Sequence, residues 1–186
     1  MVILLFGVTC VGKTAVGQKL AEKLNYQFFD MDQVIKEKLA TTIDHFMAEN
    51  PFAYERSKLK GKMLKELIEE HRDNLVIAVS PIHFSRFFNP LFKREGIIPI
   101  ELQDTPEHIF QRLIFADADD NIYEDEPYKL AHQARLMREI REEIREKTPT
   151  FKKIVNKYFI DNKPVEAVAA DLAERLQAIA QRQPSE

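Results

Sequence analysis

Residues 7–14 read Gly-Val-Thr-Cys-Val-Gly-Lys-Thr. This is the G-x-x-x-x-G-K-[ST] pattern, a loop whose backbone N–H groups cradle phosphate. It constrains the fold strongly, because it works only between a buried strand and the start of a helix. Both are predicted. Val2 to Phe6 is an unbroken apolar run. Thr14 to Leu24 places Val16, Leu20, Ala21 and Leu24 at helical spacing. Gly7 and Gly12 let the backbone approach an anion closely. The N–H groups of the loop and the helix start, with Thr9, Val11 and Ala15 among them, are expected to face it, and the helix dipole adds to the attraction. Lys13 offers a point charge to the outer phosphates, and Thr14 offers a hydroxyl to magnesium. The predicted ligand is therefore a nucleoside triphosphate with Mg2+.

Further strands and helices alternate along the chain. Gln27 to Phe29 reads as a second strand that ends at Asp30-Met31-Asp32. Helical patterns follow at about 32–39, 42–48 and 53–71, the last carried by Leu59, Met63, Leu64, Leu67 and Ile68. Leu75 to Val79 is an apolar strand of the kind buried on both faces of a parallel sheet. Ile97 to Leu102 is another, with Pro99 implying an edge or an irregular start. Thr105-Pro106 opens a helix. The stretch 117–126 holds six acidic residues and no basic one, and is expected to be an exposed loop. Pro127 to Lys147 reads as one long charged helix, Tyr158 to Ile160 as a last strand, and Asn162-Lys163-Pro164 as the start of a final helix. The polar tail from Gln181 to Glu186 is expected to fray. This alternation predicts a parallel α/β sheet covered on both faces.

Composition narrows the classes of function. The 186 residues carry a net charge of -3, which argues against a nucleic-acid or membrane-surface role, since both favour a basic face. No apolar run reaches the length of a membrane span. Cys10 is the only cysteine, so an internal disulfide is excluded and a reducing, cytoplasmic setting is expected. The expected partner is a small-molecule acceptor, with the protein a monomer or weak dimer.

In a sheet of this kind ligands bind beyond the carboxyl ends of the strands. The phosphate loop, Asp30 to Asp32, Ser80 to His83 and the loop from Gln103 should converge there. Asp30 and Asp32 suit two tasks beside a phosphate. One supports magnesium, and the other orients and deprotonates an acceptor hydroxyl. Helix capping is the competing use of such a pair, with Asp32 as the expected cap.

These features together resemble the shikimate kinase family. The resemblance is carried by GVTCVGKT, LAEKL and FFDMD in order, then Thr105-Pro106-Glu107 with Arg112-Leu113, then Lys147-Thr148-Pro149-Thr150-Phe151 and the Pro164-Val165-Glu166 helix. It implies a three-layer α/β/α phosphate-loop kinase of the nucleoside monophosphate kinase type. The whole chain would form one domain, with a helical acceptor-binding region at about 31–72 and a lid at about 115–128. It implies ATP as the nucleotide, with Arg112 and Pro164 flanking the adenine. It also implies that Asp30 supports magnesium and that Asp32 meets the acceptor hydroxyl.

Four departures bear on the acceptor. The family places an arginine after a phenylalanine in the helical region, whereas Phe52 is followed by Ala53, with Arg56 one turn displaced. Three glycines at the end of the third strand are replaced by Ser80-Pro81-Ile82, with Ile82 expected to fill the space that glycine leaves open. An arginine ahead of the Pro-x-aromatic motif is replaced by Lys147, which lacks the bidentate fork. The lid arginine is missing between Arg112 and Lys129. Phosphoryl transfer to a hydroxyl other than that of shikimate is the expected activity, with Arg56, Ser80, His83 and Lys147 as acceptor-side residues. Arg112, Arg135 or Arg138 would supplement Lys13 in meeting the transferring charge. A divergent true shikimate kinase and an ATP-binding regulator without transfer activity are the alternatives. The acidic lid is expected to be solvated, or else to read a cationic acceptor.

Overall fold

A computed structural model describes residues 1–182. Five strands form a parallel sheet: β1 (Val2–Phe6), β2 (Gln27–Asp30), β3 (Leu75–Ala78), β4 (Ile97–Gln103) and β7 (Asn156–Phe159), in the order β2-β3-β1-β4-β7. Two-residue strands β5 (Phe115–Ala116) and β6 (Ile122–Tyr123) form a separate antiparallel hairpin. The helices are α1 (Lys13–Leu24), α2 (Met31–Leu39), α3 (Ile43–Glu49), α4 (Ala53–His71), α5 (Pro106–Gln111), α6 (Glu126–Ala131), α7 (Gln133–Thr150) and α8 (Val165–Arg182). Residues 183–186 of the polar tail lie outside the described residues.

The apolar strands explain the layering. Successive side chains of a strand leave on opposite faces of the sheet. Ile3 and Leu5 enter one core, with Val16 and Leu20 of α1 and Val168 and Leu172 of α8. Val2, Leu4 and Phe6 enter the other, with Ile35 of α2, Phe46 of α3 and Leu64 and Leu67 of α4. Val76 joins the first core, and Leu75, Ile77 and Val79 join the second. An unbroken apolar run is thus what a central strand needs when helices cover both of its faces.

Pro99 lies in an interior strand rather than at a sheet edge. The β4–β7 register begins only at Ile100 opposite Asn156. The Pro99 carbonyl faces that side and accepts from Asn156 Nδ2 at 3.1 Å, so the donor that proline lacks would have pointed ahead of β7.

Two helical expectations are corrected. The long helix from Pro127 to Lys147 is two helices that break at His132, which closes α6 through its N–H to the Tyr128 carbonyl. On α4, Leu59 is exposed, and the buried stripe runs Ser57, Lys60, Leu64, Leu67 and Ile68. Among the described residues, no helix is long and apolar enough to cross a membrane.

Candidate active site

The phosphate loop follows β1. Gly7 has φ +149°, and a Cβ there would lie 2.7 Å from the Leu102 carbonyl oxygen, so a side chain is excluded by backbone as well as by conformation. Gly12, at φ +109°, is the N-cap of α1. Thr9, Gly12, Lys13, Thr14 and Ala15 line a cleft of about 520 Å3 at the carboxyl edge of the sheet. Val11 sends its side chain into the core, leaving only its backbone for the loop. Lys13 Nζ donates to the carbonyls of Gly7 (3.1 Å) and Val8 (2.9 Å). Burial lowers its pKa, while Glu143, Asp32 and Asp30 favour the charged form.

The aspartate pair divides its work differently from the expectation. Asp30, not Asp32, caps α2, and its Oδ1 accepts from the Asp32 N–H at 2.9 Å. Its Oδ2 accepts from Thr14 Oγ1 at 2.6 Å. Asp32 already lies in the first turn of α2, so the two acids do not share a face of one extended strand. Both still line the cleft. Asp30 and Thr14 therefore present two adjacent hard oxygen donors. Among the described residues no cluster of three or more His, Cys, Asp or Glu could hold a metal alone. Magnesium is commonly held by one or two carboxylates together with phosphate and water.

At the other end of the cleft Arg112 follows α5. Its Nη2 donates to Asp104 Oδ2 at 2.6 Å, and its Nη1 reaches Asn162 Oδ1 at 3.5 Å. Burial alone would raise the Asp104 pKa. Hydrogen bonds from Arg112, His108 and the Thr105 N–H outweigh it and hold the carboxyl below its usual range. This buried carboxylate fixes the guanidinium plane beside the loop that leads through Asn162 and Pro164 into α8. Arg135 and Arg138 are exposed. Arg135 bonds to Tyr128 Oη at 2.6 Å. Of the three arginines considered, only Arg112 lines the cleft.

Beyond β3 the structure gathers a basic group that was only partly visible in the sequence. Ser80 and Pro81 line the cleft, whereas Ile82 turns into the second core, contrary to expectation. Lys60 of α4 is 6% exposed and donates to Ser80 Oγ at 2.6 Å. Lys147 of α7 is 3% exposed and lies 3.1 Å from His83 Nδ1. Burial, then Lys147, Arg56 and Lys60, lower the His83 pKa, so a neutral imidazole accepts from the ammonium. Burial pushes Lys147 down to about 8, against Glu143 and Glu146. Burial also lowers Lys60, opposed by Asp32. Among the described residues neither lysine forms an ion pair with a carboxylate. Arg56 lies near this group with its Nη1 held by the carbonyls of Asn50 (2.6 Å) and Pro51 (2.7 Å), and, like Lys60, His83 and Lys147, it does not itself line the cleft.

Lys60 was missed, yet its signal is in the sequence. It lies four residues before Leu64 and seven before Leu67, on the buried stripe of α4. A lysine there is held in the interior by geometry, and lysines are seldom fully buried without a partner.

The acidic stretch is an ordered hairpin rather than a loose loop. The Asp117 carboxylate accepts from the N–H groups of Asp119 and Asn121 at 2.9 Å each and closes the β5–β6 turn. Asp120 Oδ2 accepts from the Ile43 N–H at 2.9 Å and lies 3.7 Å from Lys36 Nζ, which docks the hairpin on α2 and α3. Asp125 caps α6, and Glu126 pairs with Lys129 at 2.6 Å. Four of the six acids are thus engaged within the protein, Asp120 and Glu126 with a lysine and Asp117 and Asp125 with backbone N–H groups.

Comparison with known proteins agrees with this geometry. The family model for shikimate kinase matches residues 9–177. The shikimate kinase of Azobacteroides pseudotrichonymphae is 34% identical over 113 residues, covering 60% of this chain and 65% of that one. The match thus spans just under two thirds of that enzyme. Shikimate kinase from Bacteroides thetaiotaomicron superimposes with a TM-score of 0.72 at 23% identity, over 95% of this chain and 98% of that one. Shikimate kinase from Acinetobacter baumannii, solved with shikimate, gives 0.71 at 25% identity, over 99% and 95%. With the strand order, the phosphate loop and the paired aspartates in place, and with the family model covering most of its length, the chain belongs to the shikimate kinase family.

Proposed function

We propose that the protein transfers a phosphoryl group from ATP to a hydroxyl of a small anionic metabolite other than shikimate. The observation that carries the anionic part is the pair of buried lysines. Lys60 and Lys147 have only Ser80 and His83 as hydrogen-bond partners in the geometry above. An ammonium taken out of water with no carboxylate in contact costs several kcal/mol, of the order of the penalty for one ion of a buried pair. Evolution tolerates such a cost where a ligand supplies the missing charge. The acceptor's anion is that charge, held between α4 and α7 at the end of β3.

The roles of the residues follow from their positions. Thr9 to Ala15 and Lys13 hold the outer phosphates. Asp30 and Thr14 would hold Mg2+, which when bound neutralises phosphate charge. Arg112 and Pro164 flank the adenine. Asp32 carries a carboxylate that faces the cleft, and it accepts the proton of the acceptor hydroxyl as the oxygen attacks. The lid at 115–128 excludes water, while the helical region at 31–72 holds the acceptor. These parts form one kinase domain. Charge on the transferring group is met by Lys13 and Arg112 in place of a lid arginine.

Shikimate is set aside because Ala53 and Pro81 stand where the family resemblance places an arginine and a glycine, and because Arg56, one turn displaced, has its Nη1 bound to backbone carbonyls. Lys147 favours the rival reading, a divergent enzyme that still uses shikimate, since its buried charge lies where the family carries an arginine. Steady-state kinetics with shikimate and with other hydroxy acids separates the two. The proposal expects kcat/KM for shikimate at least about a hundredfold below that for the best acceptor, equivalent to about 2.7 kcal/mol. Shikimate as the best substrate of the panel overturns the choice of acceptor and leaves the kinase assignment standing.

A further inference from the structure

Glu143 of α7 lies against the phosphate loop. Its Oε1 accepts from both the Thr9 backbone N–H and Thr9 Oγ1, each at 3.0 Å. Backbone N–H groups of this loop are the ones its pattern reserves for phosphate. A carboxylate oxygen on such a donor stands where a phosphate oxygen would. Glu143 is also the acid that most strongly favours the charged form of Lys13, ahead of Asp32 and Asp30. Because that lysine serves the outer phosphates, the carboxylate lies toward the outer end of the site. Two negative groups cannot share those donors without mutual repulsion.

We propose that Glu143 is an internal competitor for the phosphate loop, which holds Thr9 in the free protein and is displaced by the nucleotide. It thereby sets the affinity for ATP. The displaced carboxylate has a destination. Lys147 lies one helical turn further along α7, is buried, and has Glu143 as the foremost acid favouring its charged form. Release of Glu143 from Thr9 toward Lys147 would link arrival of the nucleotide to the lysine on the acceptor side. This inference rests on the reading of the loop as a nucleotide site.

The test is calorimetric titration of the full chain with MgATP and with MgADP, comparing wild type, Glu143→Gln, Glu143→Ala and Lys13→Ala. Loss of the competing charge is expected to tighten ATP binding by about tenfold in both Glu143 variants. A smaller gain is expected for ADP, which carries one phosphate fewer. If Glu143 only braces the loop, Glu143→Gln leaves affinity unchanged and Glu143→Ala weakens it, and either result overturns the proposal. Should the variants not fold, the Thr9 amide resonance of the wild-type protein decides. It must move when MgATP binds, and a Thr9 amide unmoved at saturation overturns the proposal. Binding to neither wild type nor Glu143→Gln would remove the nucleotide reading itself. Binding that Lys13→Ala abolishes keeps that reading intact whatever Glu143 does.

Discussion

Lys147→Met is expected to make the protein more stable and less active. The lysine is 3% exposed and its pKa falls from 10.5 to about 8. At about 1.36 kcal/mol per pH unit, that gap is worth about 3 kcal/mol of differential stabilisation between the protonation states. Below pH 8 the ammonium is charged in both the folded and the unfolded chain, and the folded state carries the full penalty. Between 8 and 10.5 the folded form releases its proton first. Stability of the wild type therefore rises with pH across that window, because the unfolded chain binds more protons there. Methionine has a similar length, no charge and nothing to titrate. At pH 7 the variant should gain up to about 3 kcal/mol in urea unfolding, less the lost contact with His83, which is worth about 1 kcal/mol. The gain should shrink toward pH 10.5. In the same variant, acceptor KM should rise, and ATP affinity should fall modestly because the displaced Glu143 loses the ammonium that receives it. A variant less stable than wild type at pH 7, or a gain that does not change with pH, would refute the argument that this charge is kept for a ligand.

Three other substitutions probe the remaining parts. Lys13→Ala should nearly abolish nucleotide turnover, read as ADP release, because the loop loses its only lysine. Asp32→Asn should slow transfer by about a hundredfold or more, the usual worth of a positioned base, while calorimetry shows ATP binding little changed. Equal losses in both would remove the role given to Asp32. Asp120→Ala removes the acceptor of the Ile43 N–H. Hydrogen exchange at that amide should accelerate by about tenfold, in line with about 1.5 kcal/mol for a bond to a charged group, and ATP hydrolysis without acceptor should rise as the lid loosens.

What could be read from the sequence was what is local. The phosphate loop is one contiguous segment whose flanking strand and helix are set by their own periodicity, and the order of strands and helices followed from alternation. The buried nature of β3 was legible because an apolar run without polar alternation has no solvent face to offer. The reading weakened where distant segments decide the outcome. Asp30 rather than Asp32 caps α2 because the chain turns helical at Met31, one residue earlier than its polarity suggested. The break at His132 was hidden because Leu130-Ala131-His132-Gln133-Ala134 holds no glycine or proline to mark a helix end. The 117–126 stretch reads as irregular because its order comes from the Asp117 side chain and from a contact between Asp120 and α3, neither of which has a periodic signature. Ile82 was misassigned because a side chain after a strand end can turn either way, and its place in the second core is set by tertiary packing. The place of Lys60 on the buried stripe of α4 was legible, but its bond to Ser80 was not, and Glu143 became visible only when α7 was seen against Thr9.

The most direct test of the account is ATP-dependent phosphorylation across a panel of acceptors, followed by product detection, with Lys13→Ala as the blank and Lys60→Met as the probe of the acceptor side. The panel pairs hydroxy acids, shikimate among them, with their neutral amides and with amino alcohols. The account predicts a phosphorylated product from a hydroxy acid other than shikimate, little from its amide, and an acceptor KM raised about tenfold or more in Lys60→Met, which corresponds to about 1.4 kcal/mol. A best acceptor that is neutral or cationic, or ATP binding with no product from any member of the panel, would contradict it.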